Sequence, residues 1–248
     1  MSGDLNDIQD LYGAKPFLKF EGIKKYVGGC LPRMSEPGSF FPLVPEATPG
    51  AQVDAIELVP ESEYATQESR RVYQQWTADQ NGYPACCPYA LANAMQLLMM
   101  ILYGKFWPLD PLKVWKTLSG GRGGVALDAA AEYAMTHGFP RLDGKGVVKI
   151  AEGYDCQSPQ ALASAAMRGC VGVFAHDVHA ECWTRIVMEG RKPKLDTLNS
   201  WGNWGEQGPG GFYGWHLFAL DEAEINRYGV IAIRALAGDG LELGRDAT

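Results

Sequence analysis

The longest apolar run in the chain, CCPYALANAMQLLMMILY from Cys86 to Tyr103, is broken by the amides of Asn93 and Gln96. Its apolar positions cover nearly every side of a helix, which predicts a helix buried all round. Pro88 falls in the first turn, where a missing N–H costs nothing. Gly104 then stops the helix. A second helix is predicted over Asp110 to Leu118, ahead of the glycine cluster SGGRGG (Ser119 to Gly124). A third runs from Ala126 to Thr136 and ends at His137-Gly138, and a fourth covers Pro159 to Arg168, closed by Gly169.

The pattern changes after Gly169. VGVFAHDVHAECWTRIV (Val171 to Val187) is rich in β-branched and aromatic residues and reads as two strands or one bent strand. EGRKP is a turn, LDTLNSWG begins another strand, and the stretch ending in GVIAIRAL is strand-like as well. Helices first and strands second predict an α+β protein of two lobes. Upstream, Ile8 to Phe20 holds one short amphipathic element. From Gly28 to Pro60 the repeated prolines and glycines predict an extended arm without regular structure. The organisation expected is an N-terminal extension over 1–75 and a domain over 76–240, with a helical lobe to about 170 and a β lobe from about 171.

Composition narrows the function. Hydrophobic residues make up 46% and charged residues 21% of the 248, the balance of an ordinary globular protein. A net charge of −7 with scattered basic residues argues against nucleic acid and against an anionic membrane as partners. MSGDLNDIQD lacks the basic-then-apolar order of a secretory signal. The apolar run from Ala90 to Tyr103 is shorter than the ~20 residues of a membrane span. Six cysteines are too few for a disulfide scaffold, so Cys30, Cys156 and Cys170 are read as free buried thiols.

Cys86 and Cys87 stand side by side at the start of the buried helix. A thiolate nucleophile needs a lowered pKa, a neighbouring base and donors for an oxyanion, and the partial positive charge of a helix start meets the first need. The second signal is LNSWGNWGEQG, Leu198 to Gly208. With these blocks in this order, the sequence resembles the papain family of cysteine proteases. Gln80 through Cys86 resembles the family's Gln-x-x-x-x-x-Cys block opening a long central helix. GGRGG and the following helix resemble its glycine-rich strip, His179-Ala180 its His-Ala strand, and Asn199 to Gly202 its Asn-Ser-Trp-Gly block. The match covers roughly residues 76–236.

The resemblance implies a two-lobed fold whose cleft carries the chemistry. It implies Cys86 as nucleophile, His179 as base and then acid, and Asn199 as the residue that orients the imidazole. Gln80 and the Cys86 backbone N–H would form the oxyanion hole, Trp201 would cover the His–Asn hydrogen bond, and Gly123 and Gly124 would present backbone to an extended peptide. No cofactor is implied. Tyr83 stands where the family has a disulfide cysteine, which fits a reducing compartment. Cys87 replaces the usual aromatic and is expected to pack as a small hydrophobe.

His176 is the alternative base. On one regular strand, residues 176 and 179 would face opposite sides, so one of them points at the cleft. The same alternation argues against His176, His179 and Cys182 converging on zinc, so no metal site is expected. His137 and His216 are read as structural or exposed. Two functions remain open, with a transferase or isopeptidase using the same Cys–His pair as a third that the Asn-Ser-Trp-Gly block disfavours. One is a cysteine peptidase acting on a peptide or protein substrate. The other is a catalytically inactive assembly protein, such as a virion component, that binds protein partners through residues 1–60. The chain looks more like the compact, signal-less members of bacterial and phage genomes than like lysosomal enzymes, which sets a cytoplasmic or virion-associated location as the expectation.

Overall fold

The computed structural model describes residues 30–43, 80, 82–176, 179–189, 192–198, 200, 215–218 and 222–241. The element expected over Ile8 to Phe20 and the arm beyond residue 43 lie outside them, as do Asn199 and Trp201.

Five helices are described: α1 (Cys86–Tyr103), α2 (Pro111–Ser119), α3 (Leu127–Thr136), α4 (Pro159–Met167) and α5 (Glu222–Tyr228). The first four fall within a residue or two of the positions that the apolar pattern predicts. Gly104 closes α1 in the left-handed conformation (φ 60°), where its N–H donates to Met100 O. The Asp110 carboxylate caps α2 by accepting from the Lys113 N–H, and Ser158 caps α4 by accepting from the Ala161 N–H.

The strands are β1 (Cys30–Leu31), β2 (Val125–Ala126), β3 (Phe139–Pro140), β4 (Val147–Asp155), β5 (Val171–His176), β6 (His179–Glu189), β7 (Lys192–Leu198), β8 (Trp215–Phe218) and β9 (Val230–Gly238). Strands β3 to β9 form one antiparallel sheet in the order β3-β4-β9-β5-β6-β7-β8. The stretch read as two strands or one bent strand is thus two strands, β5 ending at His176 and β6 beginning at His179. Sequence patterning missed β4 because register shifts between Ile150 and Gly153 break its alternation. It missed α5 because that helix is short and buries Ile225 and Tyr228 as its apolar anchors.

The sheet separates two cores. On one face α1, α2 and α3 pack with Val173 and Ala175 of β5 and Ala180 and Cys182 of β6. On the other, Phe174 and Trp183 pack with Leu162 of α4 and Ile225 of α5. The apolar character of α1 follows from this position: 14 of its 18 residues are buried inside the protein. Gly172 lets β5 approach β9 closely, since a Cβ there would overlap the Ile231 carbonyl oxygen.

Residues 30–43 cross the body as a strap. Strand β1 pairs in parallel with β2 beside the helices. Asp128 of α3 accepts hydrogen bonds from the Met34 and Ser35 N–H groups and from the Ser35 hydroxyl (2.6–2.8 Å). Further along, Arg33 pairs with the buried Asp155 of β4 at 2.6 Å, and the Gly38 N–H donates to the same carboxylate. The Arg33 N–H donates to the Arg227 carbonyl. Helices and sheet are therefore tied together by one short segment.

Candidate active site

Cys86 is the first residue of α1. Its neighbour Ala85 offers no side-chain cap, so the N–H groups of the first turn remain available to a negative charge. The Cys86 thiol is held well below its ordinary pKa. The foremost cause is a hydrogen bond from the Cys87 thiol; the His179 imidazole and the Ala180 N–H add to it, against the opposing effect of burial. Cys87 behaves in the opposite way, its thiol pushed well up by burial and by its sulfur neighbours.

Cys87 is buried as expected for a small hydrophobe, and its sulfur does more than fill space. It lies 3.3 Å from the Cys30 sulfur. Cys30, read from sequence as a free buried thiol, is one, and it stands at the start of the strap against the second residue of α1.

His179 opens β6 and is buried. The alternation expected between residues 176 and 179 does not hold, because they belong to different strands. They are directly paired across the β5–β6 hairpin, His176 opposite His179, so both side chains leave the same face. Their rings meet edge to face, with centroids 6.0 Å apart. Facing one way does not make them equivalent: His179, the more buried of the two, is the one whose imidazole helps lower the Cys86 pKa.

Gln80 is buried and fastened at three points. Its N–H donates to the Ser200 carbonyl (2.9 Å), its Oε1 accepts from the Ser200 hydroxyl (2.8 Å), and its Nε2 donates to the Tyr83 carbonyl (2.8 Å). One Nε2 hydrogen is left for another acceptor. Gly123 adopts φ 70°, a conformation that suits glycine, and its carbonyl accepts from the Trp115 indole at 3.0 Å. Gly124 leads directly into β2, the strand that pairs with the strap. Tyr83, in place of a disulfide cysteine, packs its ring against Trp115 at 5.3 Å.

The structure thus joins Cys86 to His179 and Gln80 to Ser200. Strand β7, which ends at Leu198, is the hydrogen-bonded neighbour of the strand carrying His179, with Leu198 opposite Cys182. Three participants escaped sequence reasoning: Ser200, Cys30 and Glu181. For Glu181 the signal was present, since a residue two after a histidine in a strand shares its face. Its Oε1 lies 3.2 Å from His176 Nε2 and 4.0 Å from His179 Nε2.

No protein-family model matches the chain, and no curated protein matches it in sequence. Solved structures do match in shape. Digestive procathepsin L 3 of the Tenebrio molitor larval midgut is 12% identical with a TM-score of 0.58, over 85% of this chain and 77% of that one. The proCathepsin B S9 of Trypanosoma congolense is 13% identical with a TM-score of 0.60, over 94% and 96%. The proform of the ragweed pollen allergen Amb a 11, a cysteine protease, is 18% identical with a TM-score of 0.50, over 64% and 62%. The fold is papain-like: α+β, with a helical lobe built around α1 and an antiparallel sheet lobe.

Proposed function

We propose that the protein is a cysteine peptidase using Cys86, His179 and Asn199. The observation that carries this reading is Cys86 at the uncapped start of the buried α1, with its thiol drawn below its ordinary pKa by Cys87, the His179 imidazole and the Ala180 N–H. In this reading the Cys86 thiolate attacks a peptide carbonyl, and the oxyanion is received by the Gln80 amide and the Cys86 N–H. His179 gives its proton to the leaving amine, leaving an acyl group on the sulfur. It then takes a proton from water, which attacks the acyl group, releases the acid product and restores the thiolate–imidazolium pair. Asn199 orients the imidazole, Trp201 shields that contact, and Gly123 and Gly124 line the peptide's path.

One observation favours a second reading. Cys86, His179 and Gln80 are all shut away from solvent. A closed site of this kind suits an assembly protein that keeps the fold without turnover and binds partners through residues 1–60.

Labelling with an epoxide or vinyl-sulfone probe, followed by mass spectrometric mapping, separates the two. The peptidase reading expects an adduct at Cys86 that disappears in His179→Ala. Absence of any adduct on folded, reduced protein sinks it in favour of the structural role. Labelling that survives His179→Ala and disappears in His176→Ala transfers the base role to His176.

A further inference from the structure

We propose that Glu181 is a positioning residue for His179, holding its imidazolium through a carboxylate that it shares with His176. The inference rests on the reading of Cys86 and His179 as a catalytic pair. Glu181 is 1% exposed. A carboxylate buried to that degree stays ionised at a tolerable cost when a positive group lies beside it. Two candidates do, and both approach the same oxygen: His176 Nε2 at 3.2 Å and His179 Nε2 at 4.0 Å. Geometry explains the convergence. Glu181 lies two residues beyond His179 on β6, and His176 lies directly across the hairpin, so all three side chains leave one face of the sheet.

The two histidines differ in access to water. The His176 side chain is 20% exposed and the His179 side chain 5%. His179, the more enclosed of the two, is the one whose imidazole acts on Cys86, and there the Glu181 carboxylate favours the thiolate–imidazolium pair. Glu181 therefore acts on the nucleophile indirectly, through the imidazole.

Among the described residues, the other titratable groups around His179 leave this assignment intact. Helix α1 brings Cys86 and, behind it, Cys87. Strand β5 brings His176, and α4 carries no ionisable residue. On β7, Lys192, Lys194 and Asp196 stand opposite Glu189, Val187 and Arg185. Six residues of strand, about 20 Å, separate that end from His179.

The test is an NMR titration of the His176 and His179 imidazoles in the isotopically labelled full chain, native and Glu181→Gln. The expected result is a fall of ~1 pH unit or more in the His179 midpoint. Where Cys86 takes an epoxide probe, the alkaline limb of that labelling falls with it. A Glu181→Gln protein in which the His176 midpoint moves and the His179 midpoint stays overturns the proposal, because the carboxylate then belongs to His176 alone. Should Glu181→Gln not fold, Glu181→Asp keeps the charge and withdraws it by one methylene. A smaller fall at His179 supports the proposal there, and an unchanged midpoint overturns it. A native protein that takes no probe, yet shows the fall in Glu181→Gln, overturns the catalytic reading while supporting the Glu181–His179 coupling.

Discussion

The Ser200 hydroxyl donates to Gln80 Oε1 at 2.8 Å, and the Ser200 carbonyl accepts from the Gln80 N–H. This double clamp fastens Ser200 to the residue proposed to receive the oxyanion. With its oxygen occupied, the Gln80 amide is fixed in the sense that turns its N–H groups away from Ser200. Gln80→Ala is expected to slow acylation by ~10²- to 10³-fold, the usual cost of one oxyanion donor. Ser200→Ala leaves the donor in place but free to turn, and is expected to cost about tenfold. Single-turnover kinetics on a chromogenic ester check both; equal losses would show that Ser200 does more than orient.

The adjacent cysteines are expected to respond differently to the same change. Cys86→Ser abolishes covalent labelling. Cys87→Ala removes the hydrogen bond that most lowers the Cys86 pKa, so it raises that pKa and slows alkylation at pH 6. Thiolate absorbance across a pH titration reads the shift directly.

Selectivity among the cysteines follows the same physics. Burial pushes Cys170 up to about 11, and pushes Cys156 and Cys182 further in the same direction. Iodoacetamide at pH 6 is therefore expected to modify Cys86 ahead of these three, as peptide mapping would show. Stability has a matching sign. The Cys86 pKa is depressed in the folded state, so its contribution is full above the unfolded thiol's ~8.5 and is lost as pH falls through the folded value. Cys86→Ser should therefore lose stability relative to the native protein at pH 9 more than at pH 5, measured by urea unfolding.

Arg33 and Asp155 form a pair with little exposure on either side. Arg33→Ala leaves the carboxylate buried without its cation and is expected to destabilise by about 3–5 kcal/mol. Chemical denaturation at constant pH measures this; a loss below ~1 kcal/mol would mean that the strap contributes little to the fold.

Gly172→Ala drives a methyl group into the Ile231 carbonyl where β5 meets β9. A loss of about 2 kcal/mol or more is expected, since backbone on both sides must shift. Alanine at Gly121, where nothing lies within 4 Å, meets no such obstacle, though its φ of 77° adds a smaller strain. Thermal unfolding of the two variants gives the comparison.

Sequence pattern carried the helices well because each has a local stop or cap: Gly104 after α1, Asp110 before α2, Ser158 before α4. The chain's resemblance to papain-like proteins rested on short blocks in a particular order, which stay legible at low overall identity. What the sequence concealed is long-range. Pairing of His176 with His179 depends on where the chain bends, which alternation alone does not fix. The approach of Cys30 to Cys87 joins positions far apart in sequence. Glu181 was visible as a strand neighbour of His179, but its burial against two imidazoles arises when the hairpin closes.

The strap over residues 30–43 bears on how a ligand would reach Cys86. Asp128 of α3 and Asp155 of β4 anchor this one segment to the helices and to the sheet. Such a cross-brace resists any change in their spacing, and at Cys30 it ends against Cys87, the chain neighbour of Cys86. A ligand that needed helices and sheet to part would have to break these anchors first.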